Sequence, residues 1–180
     1  FRQSPLAPPQ LEDILDARGW KRFDETRVMT LGLGRATLDD AVSQVPLKDV
    51  GRWIDQCVVM GSFDADVKPG LHELISLVQG DVGLFLIEDG DGKPLAGTMA
   101  VCLGDLVGLF EVVSNPELRR QGLGRRILRN AMLWGKEKGA TRAWLQVVSA
   151  NEPAVGLYQS EGFREIYRYA YRQAPEGYTG

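Results

Sequence analysis

An apolar run from Val107 to Val113 leads into the loop Pro116-Glu117-Leu118-Arg119-Arg120-Gln121-Gly122-Leu123-Gly124-Arg125-Arg126, after which Ile127, Leu128 and Ala131 continue the helical spacing begun by Leu123. A chain with this order must build a strand, a tight loop and a helix start in succession. Arg125, Arg126 and Arg129 lie on the opposite helix face, and Gly139 follows the last turn as a C-terminal cap would. Glycines at 122 and 124 let backbone approach a ligand with no Cβ in the way. The unpaired amides of a helix start and the positive end of its dipole favour an anion, which Arg120 and Arg125 can neutralise. The residues therefore predict a phosphate-bearing ligand, a pyrophosphate in particular, held mainly by backbone.

Two better-known phosphate loops do not fit. Gly92-Lys93 and Gly135-Lys136 are followed by Pro94 and Glu137, where a Walker loop needs Ser or Thr. A dinucleotide fingerprint needs a small residue where Ile127 stands, and its first glycine directly after the strand.

Length and composition set compatible bounds. The 180 residues suit one domain, and 44% hydrophobic with 25% charged residues is ordinary for a soluble globular protein. A net charge of -3 argues against a nucleic-acid binder, so the arginine cluster reads one small anion. Cys57 and Cys102 lack metal-ligand spacing and His72 is the single histidine, so two reduced, partly buried thiols and no metal site are expected. No run reaches the roughly 18 apolar residues of a membrane span and no signal-peptide pattern opens the chain, which predicts a cytoplasmic protein with no membrane partner.

Periodicity predicts strands at 28–33, 82–88, 95–103, 107–113 and 143–148, with Asp89-Gly90-Asp91-Gly92-Lys93-Pro94 as a turn. It predicts helical segments at 38–45, 47–60, 69–79, 122–138 and 153–161, and a hairpin-like tail at 163–172. This is mixed α/β (α+β), with an antiparallel front and a strand-loop-helix-strand centre.

Arg119-x-x-Gly122-x-Gly124 resembles the acetyl-coenzyme A loop of the GNAT N-acetyltransferases. Downstream, Trp144-Leu145-Gln146-Val147-Val148-Ser149-Ala150-Asn151-Glu152-Pro153-Ala154-Val155-Gly156-Leu157-Tyr158, then Gly162-Phe163, is similar to that family's strand, asparagine, helix, tyrosine and Gly-Phe turn. The two blocks lie in the family's order and at its usual separation, and the resemblance covers about residues 27 to 172. It implies a GNAT fold, a mixed central sheet with splayed middle strands and flanking helices, over residues 27–180. It implies acetyl-coenzyme A as cosubstrate and no metal. Arg120, Gln121, Gly122, Leu123, Gly124 and Arg125 would cradle the pyrophosphate, Asn151 would bind pantetheine or order its helix, and the backbone of Val112, Val113 and Ser114 would pair with pantetheine while one amide polarises the thioester.

The chemistry needs a base and an acid. An amine of pKa near 10.4 is free at pH 7 in about one molecule in 2,500, a deficit of roughly 4.6 kcal/mol. Glu111 interrupts an apolar strand on the face shared with Leu109 and Val113, which makes it the candidate base, a structural ion pair with an arginine being the alternative. In the similar ribosomal-protein N-terminal acetyltransferases a glutamate base falls where this chain has Gln146, whose amide takes no proton. Either Glu111 substitutes, or water carries the proton, or the activity is weaker or different. By resemblance Tyr158 is the general acid for the departing thiolate. Direct transfer in a ternary complex is expected, because no activated Cys or Ser stands near either block.

The leading expectation is thus an N-acetyltransferase acting on a small amine, an amino acid or a peptide N-terminus. The alternatives are a coenzyme A-binding regulatory or degenerate module, and a nucleotide-binding oxidoreductase. Acceptor specificity is expected from residues 34–68 and the tail near Tyr169 to Tyr178, which name no ligand, and a homodimer is left open.

Residues 1–26 stand apart as an appendage. The chain starts at Phe1 and not at Met, which predicts a fragment or a trimmed chain. A short amphipathic helix carrying Leu11, Ile14 and Leu15, then Gly19-Trp20-Lys21 and a strand, parallels Gly162-Phe163-Arg164 and its flanks. That parallel predicts the end of a preceding, degenerate GNAT-like unit.

Overall fold

The computed structural model describes residues 1–178, whose contacts gather into two compact units, Leu31–Leu145 and Phe1–Thr30 with the described residues from Gln146 onward. In chain order the elements are β1 (Arg2–Gln3), α1 (Gln10–Ala17), β2 (Lys21–Gly32), α2 (Val50–Val59), α3 (Lys68–Leu77), β3 (Asp81–Glu88), β4 (Pro94–Leu103), β5 (Leu106–Ser114), α4 (Leu123–Glu137), β6 (Arg142–Val148), α5 (Glu152–Ser160) and β7 (Arg164–Gln173). The mixed α/β expectation is met.

Within the unit Leu31–Leu145, β3, β4 and β5 form an antiparallel meander, and β6 runs parallel to β5 from Leu106↔Arg142 to Leu109↔Leu145. The β3–β4 turn closes because the Asp89 carboxylate accepts from the amides of Asp91 and Lys93, while Gly92 takes φ +80°. Apolar side chains leave both faces of this sheet. On one face Phe85 meets Trp134 of α4, ring centroids 5.6 Å apart. On the other, Leu84, Leu86 and Met99 pack with Trp53, Ile54, Cys57 and Met60 from α2 and its end, and Ile75 from α3. Fully buried Trp53 and Phe85 each contribute on the order of 1.5–3 kcal/mol by leaving water.

Helix α2 starts where Asp49 accepts from the Arg52 amide at 2.9 Å, a capping bond worth about 1 kcal/mol. The expected helix at 38–45 is absent. That segment spends its polar groups on distant partners: the Val42 amide donates to Asn130 Oδ1, Asp40 pairs with Arg129 at 2.6 Å, and Gln44 Nε2 donates to Leu86 O. With the Leu47 amide on Leu84 O it runs beside β3, and Val42 and Val45 stay exposed.

In the terminal unit, β7 pairs antiparallel with β1 and with β2, from Lys21↔Gln173 to Thr30↔Arg164. The expected hairpin-like tail at 163–172 is therefore a single strand whose partners precede it by most of the chain. Arg172 is only 2% exposed and holds this unit's N-terminal elements: its guanidinium donates to Gln3, Asp16, Glu12 and the Trp20 carbonyl. Five fixed donors suit one arginine to several acceptors. Helix α1 forms where its apolar spacing predicts, burying Leu15 but leaving Ile14 exposed. Among the described residues no helix is long and apolar enough to cross a membrane.

Candidate active site

The candidate base sits on a β-bulge. Gly97 opposes Val113 and Met99 opposes Phe110, so Thr98 faces both Glu111 and Val112. Glu111 accommodates the extra residue by taking φ +51°, a left-handed conformation uncommon for a side-chain-bearing residue. Buried Thr98 supports it, its hydroxyl donating to Phe110 O at 2.8 Å. The bulge breaks the alternation of β5, which corrects the expectation that Glu111 and Val113 share a face with Leu109: Phe110 and Val113 both pack against the α2–α3 cluster, and Glu111 meets Ser62 at the end of α2. Leu109 is buried, whereas Glu111 is open to solvent on one side. Crowding by protein on its other side raises the carboxyl pKa, and a hydrogen bond at 3.0 Å from Ser62 Oγ to its Oε2 works against that rise. No arginine pairs with Glu111 among the ion pairs of the described residues.

Val112, Val113 and Ser114 continue β5, half-buried and paired to β4 through Gly97↔Val113 and Ala96↔Ser114. Asn115 then turns the chain. Its side chain donates to Pro94 O at 3.2 Å and accepts from the Glu117 amide at 3.0 Å, and its own amide bonds Leu95 O. Arg120 and Gly122 both take positive φ, +64° and +77°. Gly122 is the residue before α4, and no side chain caps that helix start. The first intrahelical bond runs from the Arg126 amide to Gly122 O, so the amides of Leu123 and Gly124 precede the helix's own bonding and can turn to an anion. A Cβ at Gly122 would meet open space, so its glycine is required by conformation and leaves the approach unobstructed. Gln121 and Arg125 are exposed, and Leu123 and Gly124 half-buried, around this start. An uncapped helix start beside two left-handed residues and arginines fits a pyrophosphate.

The second sequence block lies in the terminal unit. Asn151 begins α5, its side chain accepting from the Ala154 amide at 3.3 Å. The helix-ordering role expected of Asn151 is thus visible in the fold. Tyr158, two turns on, is 6% exposed and packs edge-on to Phe163 at 6.0 Å between centroids. Gln146 is exposed, and its Oε1 accepts from the Tyr169 hydroxyl at 2.5 Å, so the other end of the amide is a donor NH2.

Three supporting residues carried no signal in the sequence: Ser62, Thr98 and Asn115 act through partners 49, 12 and 21 positions away. Both cysteines are buried, and burial together with the charge of Glu111 pushes the Cys57 thiol up to about 12. A thiol so held is a poor nucleophile at neutral pH. His72 is exposed on α3.

With this geometry in view, comparison with known proteins defines the class. Residues 8–172 match the family described as "Probable histone acetyltransferase Rv0428c C-terminal". The chain belongs to that family, within the GNAT superfamily of N-acetyltransferases, and is an acyltransferase by that membership. It is 28% identical over 177 residues, 96% of its length and 71% of the relative's, to the uncharacterized N-acetyltransferase YobR of Bacillus subtilis (strain 168). The [ribosomal protein bS18]-alanine N-acetyltransferase of Escherichia coli (strain K12) is 35% identical over 75 residues, 42% of this chain and 51% of that protein. The chain thus spans about half of that enzyme's length. A GCN5-related N-acetyltransferase from Kribbella flavida superposes with a TM-score of 0.68 at 21% identity, covering 98% of this chain and 68% of that one. At such identity the likeness is one of fold.

Proposed function

We propose that the protein moves an acetyl group from acetyl-coenzyme A to a primary amine of a small molecule, an amino acid or a peptide N-terminus, by direct transfer in a ternary complex. The observation that carries this reading is the uncapped start of α4, entered through left-handed Arg120 and Gly122. Bound there, acetyl-coenzyme A supplies the activated acyl group. Residues 120–125 hold its pyrophosphate, and the backbone of Val112, Val113 and Ser114 orients the pantetheine. Glu111 takes the proton of the attacking amine and Tyr158 gives one to the departing thiolate. Glu111 is suited to the task because crowding raises its pKa towards working pH while solvent still receives the proton. A peptide N-terminus stands among the acceptors because the Escherichia coli relative is named for acting on ribosomal protein bS18 alanine.

Gln146 favours a second reading, a coenzyme A-binding module without turnover, since an amide donor replaces a proton acceptor at that position. A thiol-release assay over an amine panel separates the two: turnover supports transfer, and tight acetyl-coenzyme A binding with no thiol release supports the module. Thermal shifts with acetyl-coenzyme A, coenzyme A and NAD accompany it. Stabilisation by NAD alone would refute both readings.

We also infer that residues 1–26 descend from the end of a preceding GNAT-like unit. The support is local geometry: α1 closes with Gly19 at φ +73° and a bond from the Trp20 amide to Leu15 O, as α5 closes with Gly162 at φ +92° and a bond from the Phe163 amide to Tyr158 O. A strand then follows each closure. A full-length gene with its start codon immediately before Phe1 would sink this inference.

A further inference from the structure

The residue facing Glu111 is placed by the end of a helix. At the close of α2, Gly61 takes φ +76°, its amide bonds Val58 O, and the Ser62 amide bonds Cys57 O at 3.0 Å. This left-handed closure fixes the Ser62 backbone to a helix that is itself anchored by buried Trp53, Ile54 and Cys57. The Ser62 hydroxyl then donates to Glu111 Oε2 at 3.0 Å. Opposite, the Thr98 hydroxyl is committed to Phe110 O, so it fixes the bulge and leaves the carboxylate alone. The titratable neighbour from α2 is Cys57, whose thiol, pushed up to about 12, stays neutral while amines are acetylated.

Resting on the reading of Glu111 as base, we propose that Ser62 is its positioning residue, whose hydroxyl fixes one carboxylate oxygen and leaves the other to take the acceptor's proton. Neither bond nor charge is consumed. Ser62 keeps its proton, and the amine proton passes to Glu111 Oε1 and on to water. The arrangement makes the charge of the base depend on where α2 ends, so movement of the connection between α2 and α3 would be felt as a change in basicity.

The first measurement is a carbon-detected NMR titration of the Glu111 carboxyl in the unliganded protein, for wild type, Ser62→Ala and Ser62→Thr. Loss of a donor to the ionised form should move the Ala variant's titration to higher pH, and Thr, which keeps the hydroxyl, should restore it. The second is the pH profile of kcat/KM with the acceptor that releases most thiol in the amine panel. On the acid side the Ala variant should lose roughly 2- to 12-fold, the range one hydrogen bond is worth, and rejoin wild type on the alkaline plateau. Glu111→Gln is the companion variant. If it loses activity in a pH-dependent way while Ser62→Ala titrates and reacts as wild type, the positioning role is refuted and the base stands. If Glu111→Gln shows the same loss at every pH, the base reading falls and takes the proposal with it.

Discussion

Tyr158 and Glu111 carry opposite structural signatures, one packed into the fold and one set out from it by strain, and their substitutions should separate accordingly. Tyr158→Phe keeps the ring against Phe163 and removes one oxygen. Turnover should fall roughly 100-fold or more with a nearly unchanged KM for acetyl-coenzyme A, as for an interaction made chiefly in the transition state. Steady-state kinetics with a validated acceptor check it, and wild-type turnover would return Tyr158 to a packing role. Glu111 should show a stability trade. A carboxyl whose folded pKa is raised favours folding only while protonated, and that advantage is lost as pH rises through the folded pKa. Glu111→Gln should therefore raise Tm at pH 7, with the gain shrinking as pH falls below the raised pKa. A Tm unchanged across that range would mean that crowding costs the carboxylate nothing. Glu111 itself was legible as a charge in an apolar strand, but the bulge that sets it was not, because it depends on Thr98 reaching Phe110 from the neighbouring strand.

At the scale of elements, α4 makes two demands on glycine, one at its start and one near its end. Gly124 lies in the first turn, where the side chain of Gly124→Val would crowd the amides offered to the pyrophosphate. Calorimetry should show strongly weakened acetyl-coenzyme A binding by a protein that remains folded. Gly135 lies where α4 presses on β5, and an added Cβ would come within 2.8–2.9 Å of three Val107 carbons. Alanine is worth about 1 kcal/mol over glycine inside a helix, whereas overpacking a tight core costs typically 1–3 kcal/mol. Gly135→Ala should thus be neutral to destabilising by about 2 kcal/mol in denaturant unfolding, and Val107→Ala in the same chain should recover part of the loss. The helices with local start signals, Asp49 for α2 and Asn151 for α5, could be read from the sequence. The segment 38–45 could not, since Asn130, Arg129 and Leu86 decide its path and none is near it in the chain.

For the molecule as a whole, the pH dependence of stability has an identifiable contributor. Glu25 on β2 and Glu165 on β7 are both held below the usual carboxylate range, chiefly by hydrogen bonds from Arg168. A depressed folded pKa gives stability that is present above the unfolded value and lost as pH falls through the folded one. Arg168→Met should lower Tm at pH 7, the difference from wild type closing below the usual carboxylate range and also narrowing in high salt, because these groups are partly exposed. A gap that persists under acid conditions would point to lost packing. The mixed α/β class and both motif blocks were legible because backbone requirements for glycine, asparagine and apolar strands are local. The pairing of β7 with β1 and β2 was not, since it joins the two ends of the sequence. The extra residue in β5 has a further consequence, since the strand pairs on either side of it stay in register with β4. Deleting residue 111 would set Val112 alone opposite Thr98 and leave Gly97↔Val113 and Ala96↔Ser114 as they are. Asn115 would keep its seat on Pro94 and Leu95, and Gly122 would still reach the start of α4 in phase. Insertions in loops are absorbed locally. A single deletion here would be absorbed within a strand, removing the base while leaving the anion-binding loop in place, so these two parts of the site are separable along the chain.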